Sequence, residues 1–190
     1  HPNSWHFHDQ TKTSAEILSA LYQTISKAAD DAGIITIGCN VMPHLAAGHD
    51  HLIRTGNDTS GRFWEETRNN GINALAFRMP AHDILFCSDA DCVGITDSNV
   101  PTWEQNAQWA KLLAKSGTPF FASIKPGVLS KTQNEFMRDL FRIASKKHQP
   151  AVPIDWMTTK TPRTWQFDDG TSESFNWAEN GTPLPDFLRK

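Results

Sequence analysis

The feature that most constrains the fold is an alternation. Short runs of apolar, β-branched residues take turns with segments whose apolar positions recur at helical spacing. Thr13 and Glu16 form a capping-box pattern. Ile17, Leu18, Leu21, Ile25 and Ala28 follow with helical spacing, and Gly33 stands where a C-cap belongs, so a helix is predicted from about Ser14 to Ala32. Ile34–Ile37 then reads as a buried strand that ends in a Gly38-Cys39-Asn40 loop. His51–Arg54 is a short strand, Gly56–Gly61 a polar loop, and Phe63–Asn70 a short helix closed by Gly71. Asn73–Phe77, Ile84–Cys87 and Cys92–Thr96 read as extended. Thr102 opens a helix with Trp103, Ala107, Ala110, Leu113 and Ala114 on one face, Pro119–Ser123 is a strand, and Ser130 with Gln133 caps a last helix bearing Phe136, Met137, Leu140 and Ile143.

Such alternation implies βα units on a parallel sheet. About four units precede residue 150, which predicts an α/β fold: half of a (β/α)8 barrel, too short to close alone because a full barrel needs about 250 residues. An open doubly wound sheet competes, but no Gly-rich phosphate loop supports a nucleotide role. The predicted organisation is a partial barrel over 1–150 and an irregular extension over 151–190. That extension, rich in Pro, Trp, Asn and Gly, has strand-like pieces such as Thr164–Phe167, and reads as an exit towards a β region beyond the chain.

Charge and cysteine content narrow the function classes. A formal charge of −3 without a basic block argues against nucleic-acid and anionic-membrane partners. No apolar run reaches membrane-spanning length, and no signal-peptide core is present. Three cysteines do not make a disulfide framework: one is left over, and Cys87 and Cys92, in one extended stretch, lie roughly 16 Å apart, too far to bridge. All three are expected to be reduced and buried. Asn57 and Asn180 open glycosylation triplets, a pattern that chance often produces. The seven Trp and eleven Phe against one Tyr supply stacking faces for sugars, although burial is the commoner fate of such rings.

Four polar clusters follow strands: Cys39-Asn40, Arg54 to Gly61, Ser88-Asp89-Ala90-Asp91-Cys92, and Ser123-Ile124-Lys125-Pro126. The second is the most informative, with Arg54 at a strand end and Asp58 four residues on. It suits a carboxyl group poised over a ligand whose hydroxyls a fixed cation orients; the plain alternative is an Arg54–Asp58 salt bridge with Asp58 capping the next helix. Asp89 and Asp91 point to opposite sides of an extended backbone, and one such pair lacks the ligand count of a divalent-cation site. His44, His49 and His51 lack the i, i+4 spacing of a helical zinc pair. A nucleophilic Cys39 or Cys92 would need a His that the sequence does not identify.

In this order the clusters resemble the second half of the clan D glycoside hydrolases, the α-galactosidase and α-N-acetylgalactosaminidase relatives of families 27 and 36. The resemblance covers roughly Ile34 to Val128. Cys39-Asn40 matches a strand-end Cys followed by a sugar-contacting residue; Arg54, Asp58 and Trp64 match the Arg, the acid/base Asp and the Trp that opens the next helix. Ser88-Asp89-Ala90-Asp91-Cys92 is similar to the family's Asn-Asp-Pro-Asp and following apolar residue. Asn40 for an acidic residue, and Ala90 for Pro, depart from the pattern and leave the sugar open among galactose, N-acetylgalactosamine and arabinopyranose.

The resemblance implies a retaining hydrolase of terminal α-linked sugars, without metal or cofactor. Asp58 is then the general acid/base, and Arg54, Asp91, Cys92, Asn40 and Cys39 are substrate-binding. The nucleophile lies outside these residues; Asp9, the early carboxylate in an aromatic setting, is not assigned that role. As the acid, Asp58 must start protonated, which calls for burial, with Arg54 aimed at the ligand rather than at Asp58. The implied partners are a carbohydrate and the other half of the barrel. The resemblance favours a secreted or periplasmic location. An inert carbohydrate-binding remnant and, less so, a metal-dependent hydrolase are the alternatives.

Overall fold

The computed structural model describes residues 7–39, 41–54, 56–59, 61–98 and 100–177. Helix α1 (Ser14–Ala32) starts on the Thr13–Glu16 capping box, and its C-cap Gly33 adopts φ +66°. That left-handed cap is open to glycine at no steric cost. Strands β1 (Ile37–Cys39), β2 (Leu52–Arg54) and β3 (Cys87–Asp89) form a parallel sheet in the order β1-β2-β3. The short helix α2 (Pro43–Ala46) crosses between the first two strands.

After β2 the chain enters a continuous helical segment: α3 (Trp64–Glu66), a π-helical stretch (Thr67–Ile72), and α4 (Asn73–Arg78), followed by a 3-10 turn at Met79–Ala81. Two expectations fail here. Gly71 does not close a helix but lies inside one, and Asn73–Phe77 is helical rather than extended. The reason is packing: a Cβ on Gly71 would sit 2.9 Å from the Trp109 ring and 3.0 Å from the Thr59 methyl. This glycine marks a close approach, a signal that single-sequence reading cannot tell from a stop. The predicted Ile84–Cys87 strand shifts to Cys87–Asp89, with Ile84 and Leu85 in an exposed turn.

β3 ends at Asp89, but the break is short. Two residues on, with Asp91 at φ +70°, the chain resumes as β4 (Cys92–Ile95), which pairs in parallel with β5 (Phe121–Ile124). One bent run thus serves two ladders, β3 on β2 and β4 on β5. Helices α5 (Trp103–Lys115) and α6 (Lys131–Ala144) each start on a capping box, Thr102 with Gln105 and Ser130 with Gln133. They pack with β4, α4 and the C-terminal region into one large core that includes Trp64, Leu75, Trp109, Leu113, Trp165 and Trp177.

The C-terminal region carries an antiparallel sheet, β6 (Val152–Pro153), β7 (Thr164–Gln166) and β8 (Ser172–Ser174). Trp165, Phe167, Phe175 and Trp177 join the main core. Both Trp165 and Trp177 donate their indole N–H to the Pro162 carbonyl, at 3.0 and 2.6 Å.

The β1–β3 sheet is covered on one face. Register places Gly38, Ile53 and Ser88 side by side, and this row is buried: Ile53 is fully inaccessible and packs with Ala46, Phe86 and Tyr22. The opposite face carries Ile37, Leu52 and Cys87 in one row and Cys39, Arg54 and Asp89 in the next. Ile37 is 45% exposed, and Ile34 and Ile35 just before it are 59% and 67% exposed. The predicted buried strand at Ile34–Ile37 is therefore displaced towards Cys39 and open on its apolar side. The fold is mixed α/β with small parallel sheets, and these do not close into a barrel among the described residues.

Candidate functional site

The charged row of the open face lies at the C-terminal ends of β1–β3, where ligands bind in parallel α/β sheets. Arg54 closes β2, and register sets it between Cys39 and Asp89. Its guanidinium spans two carboxylates: Nη2 lies 3.0 Å from Asp58 Oδ1 and Nη1 lies 3.1 Å from Asp91 Oδ1. Burial opposes the Arg54 charge, but Asp91, Cys39 and Asp58 together outweigh it and hold its pKa above the usual value. Its Nε is buried without a hydrogen-bond partner among the described residues, a cost that desolvated donors rarely carry.

Asp91 is the hub. Its left-handed backbone overturns the picture of an extended Asp89-Ala90-Asp91 with side chains on opposite sides. Asp89 holds the bend by accepting the Asp91 N–H on Oδ1 at 2.7 Å. Burial pushes the Asp89 carboxyl up, and the Asp91 charge adds to this, against the Asp91 N–H and Arg54. Turned by the bend, Asp91 offers Oδ1 to Arg54 and Oδ2 to the Thr59 backbone N–H at 2.6 Å. The Thr59 hydroxyl lies 3.1 Å from the same oxygen and donates to the Cys92 carbonyl at 2.5 Å, which also receives the Trp109 indole N–H at 3.3 Å. Two residues further, Gly61 (φ +73°) runs so close to β4 that a Cβ on it would lie 2.2 Å from the Gly94 carbonyl oxygen. The Asp58 loop is thus pinned to β4 at Thr59 and at Gly61.

Asp58 itself is 70% exposed. The burial expected of a protonated acid is absent, and Arg54 faces Asp58 instead of turning away from it. Nor does Asp58 cap the following helix: the N-cap is Phe63, and no side chain caps it. Of the other predicted residues, Cys39 is exposed, and Cys92 is half-buried, with burial pushing its thiol up to about 11. All three cysteines are free, but they are not uniformly buried as expected. Asn40 lies outside the described residues, as does Asn180. Asp9 accepts hydrogen bonds from the N–H and hydroxyl of Thr11, a local turn on an exposed segment.

The described residues contain one cluster of metal-ligand type: His82, Asp83 and Cys87. Its histidine is already engaged. His82 is 3% exposed; Nδ1 accepts the Ser88 N–H at 2.9 Å, which leaves Nε2–H to donate to the Gly117 carbonyl at 3.1 Å. The imidazole bolts β3 to the turn before β5. His44, His49 and His51 form no such group; His51 Nδ1 instead faces Thr36. Sequence reading located Arg54, Asp58 and Asp91, and the fold brings them together. It missed Thr59, for a threonine one residue after a candidate acid carries no spacing signal of its own. No protein-family model matches the chain, and no curated protein matches it.

Proposed function

We propose that this chain is the C-terminal half of the catalytic barrel of a retaining α-galactosidase-like glycoside hydrolase, acting on a terminal α-linked galactose or a related sugar. Asp58 is the general acid/base, and the nucleophile is supplied by the other half of the barrel. The observation that carries this reading is the convergence of Arg54, Asp58 and Asp91 at the C-terminal strand ends of a parallel sheet. The open face supports it too: an apolar row, Ile37-Leu52-Cys87, lies beneath a polar row, Cys39-Arg54-Asp89, as an inward barrel wall lies beneath its active-site rim.

In this mechanism a carboxylate from the missing half attacks the anomeric carbon from about 5–5.5 Å across the sugar from Asp58. Asp58 first protonates the leaving oxygen, then takes a proton from the incoming water. Its exposure leaves it free to reach a glycosidic oxygen. Arg54 faces Asp58 in the free chain, so the sugar hydroxyls must draw its guanidinium towards the ligand as they bind. Asp91, held from below, keeps the cation over the strand ends.

The test is to assay the longest native polypeptide containing this segment on a panel of aryl α- and β-glycosides, with the 190-residue chain beside it. Turnover of an α-galactoside or close relative by the long form alone is the expected result. Loss of that turnover in Asp58→Asn for a poor leaving group assigns the acid. A second reading, an inert carbohydrate-binding remnant, draws on the Arg54–Asp58 ion pair itself; saccharide binding without turnover in the long form would select it.

A further inference from the structure

We infer that Thr59 is the positioning residue that fixes the Asp58 carboxyl group against Arg54 and Asp91; the inference rests on the acid/base reading of Asp58. Asp58 has little around it to define its place: its side chain is largely in solvent and its ion-pair partner is Arg54. The next residue is the opposite. Thr59 is 1% exposed, and every polar atom ahead of its carbonyl is engaged. Its N–H goes to Asp91 Oδ2, and the one hydroxyl proton goes to the nearer acceptor, the Cys92 carbonyl. Its methyl faces Gly71 on the π-helical stretch, where a Cβ would come within 3.0 Å.

The consequence is a chain of fixed contacts. Asp89 bends the strand, the bend turns Asp91, and Asp91 receives both Arg54 and the Thr59 N–H. The Thr59 hydroxyl then sets the loop height over β4 through the Cys92 carbonyl. A loop tied at that point carries Asp58 at a fixed distance from the cation. Freed from it, Asp58 keeps its chemistry but loses its aim. A misplacement of about 1 Å at a proton-transferring group costs about 100-fold in rate.

The experiment uses the longest native polypeptide with Thr59→Val, which keeps the shape and removes the hydroxyl, and Thr59→Ser, which keeps the hydroxyl. Both are assayed on an aryl α-galactoside with a good leaving group and on an alkyl α-galactoside with a poor one. Thr59→Val is expected to lose about 10- to 100-fold in kcat/KM, which reports the glycosylation step, on the poor leaving group, which depends on acid assistance, and less than about 3-fold on the good one. Thr59→Ser restores the rate. Equal loss on both substrates, or no loss, overturns the inference. Should the parent turn over no glycoside, the hydrolase reading fails by itself, and the latch is judged by amide exchange in the same polypeptide. Exchange over Asn57–Thr59 at least about 10-fold faster in Thr59→Val then upholds the latch, whereas unchanged protection removes it.

Discussion

The two halves of the bent strand live in different surroundings. β4 and β5 are backed by α5, α6, the α4 segment and the C-terminal sheet, in a core with four fully inaccessible tryptophans. β3 and its neighbours β1 and β2 rest on a small cluster, Ala46, Ile53 and Phe86, and leave their other face open. The first region closes on itself; the second is covered on one face. Ile37 of β1 and Ile35 just before it are exposed, whereas Ile53 on the other face is buried.

Truncation is the strongest way to sharpen this contrast. Trp165→Ala, in the large core, is expected to lower stability by about 3–5 kcal/mol in urea unfolding, the range for buried tryptophan. Ile53→Ala should cost only about 2 kcal/mol, at the low end for such a change, because a small cluster beside an open face can collapse into the space. Equal losses would show that the two regions share one core.

The regions also titrate in opposite directions. Asp89, on the open side, has its pKa raised chiefly by burial. The folded state then binds more protons than the unfolded chain from about pH 4 upward, so Asp89 makes stability fall as pH rises through that window. Asp89→Asn keeps an acceptor for the Asp91 N–H and should gain in stability on the parent as pH rises above the ordinary aspartate range. Glu173 opposes it: burial resists its charge, but Lys111 and Lys115, each 2.7 Å away, outweigh that and lower its pKa. Its contribution is present above the ordinary glutamate range and is lost as pH falls through that range towards the lower folded value. Lys115→Met should therefore cost about 0.5–1 kcal/mol at pH 7 and less at pH 3. A parallel pH trend for the two variants would dissolve the contrast.

The smallest effect is expected on the open face itself. Ile35→Lys should change the stability of the 190-residue chain by less than about 0.5 kcal/mol, as exposed substitutions do, while reducing its binding of a hydrophobic dye. A loss like that of Ile53→Ala would mean that the face is covered.

Much of this was legible in the sequence where local physics decides. The capping boxes at Thr13, Thr102 and Ser130 start helices where the pattern placed them, and Gly33 ends one. The charged strand ends at Arg54 and Asp91 were legible because polar residues after short apolar runs in βα units have few other places to go. What failed depends on neighbours distant in sequence. Gly71 reads as a stop until Trp109 packs against it. Ile34–Ile37 reads as interior because periodicity reports which face is apolar, not whether anything lies on it. The Arg54–Asp58 pair is fixed by a loop whose height is set 32 and 33 residues away, at Asp91 and Cys92.

The close pass of Gly61 over Gly94 also governs how such a sequence can diversify. Two backbones meet there with no room for a side chain, so the loop cannot be reshaped from its C-terminal end without moving a sheet strand. The other end is tight as well, since a Cβ on Gly56 would lie 2.7 Å from the Asn70 carbonyl oxygen. Divergence among sequences sharing this geometry should therefore gather at Asn57, between the two close approaches, while Gly56 and Gly61 drift slowly.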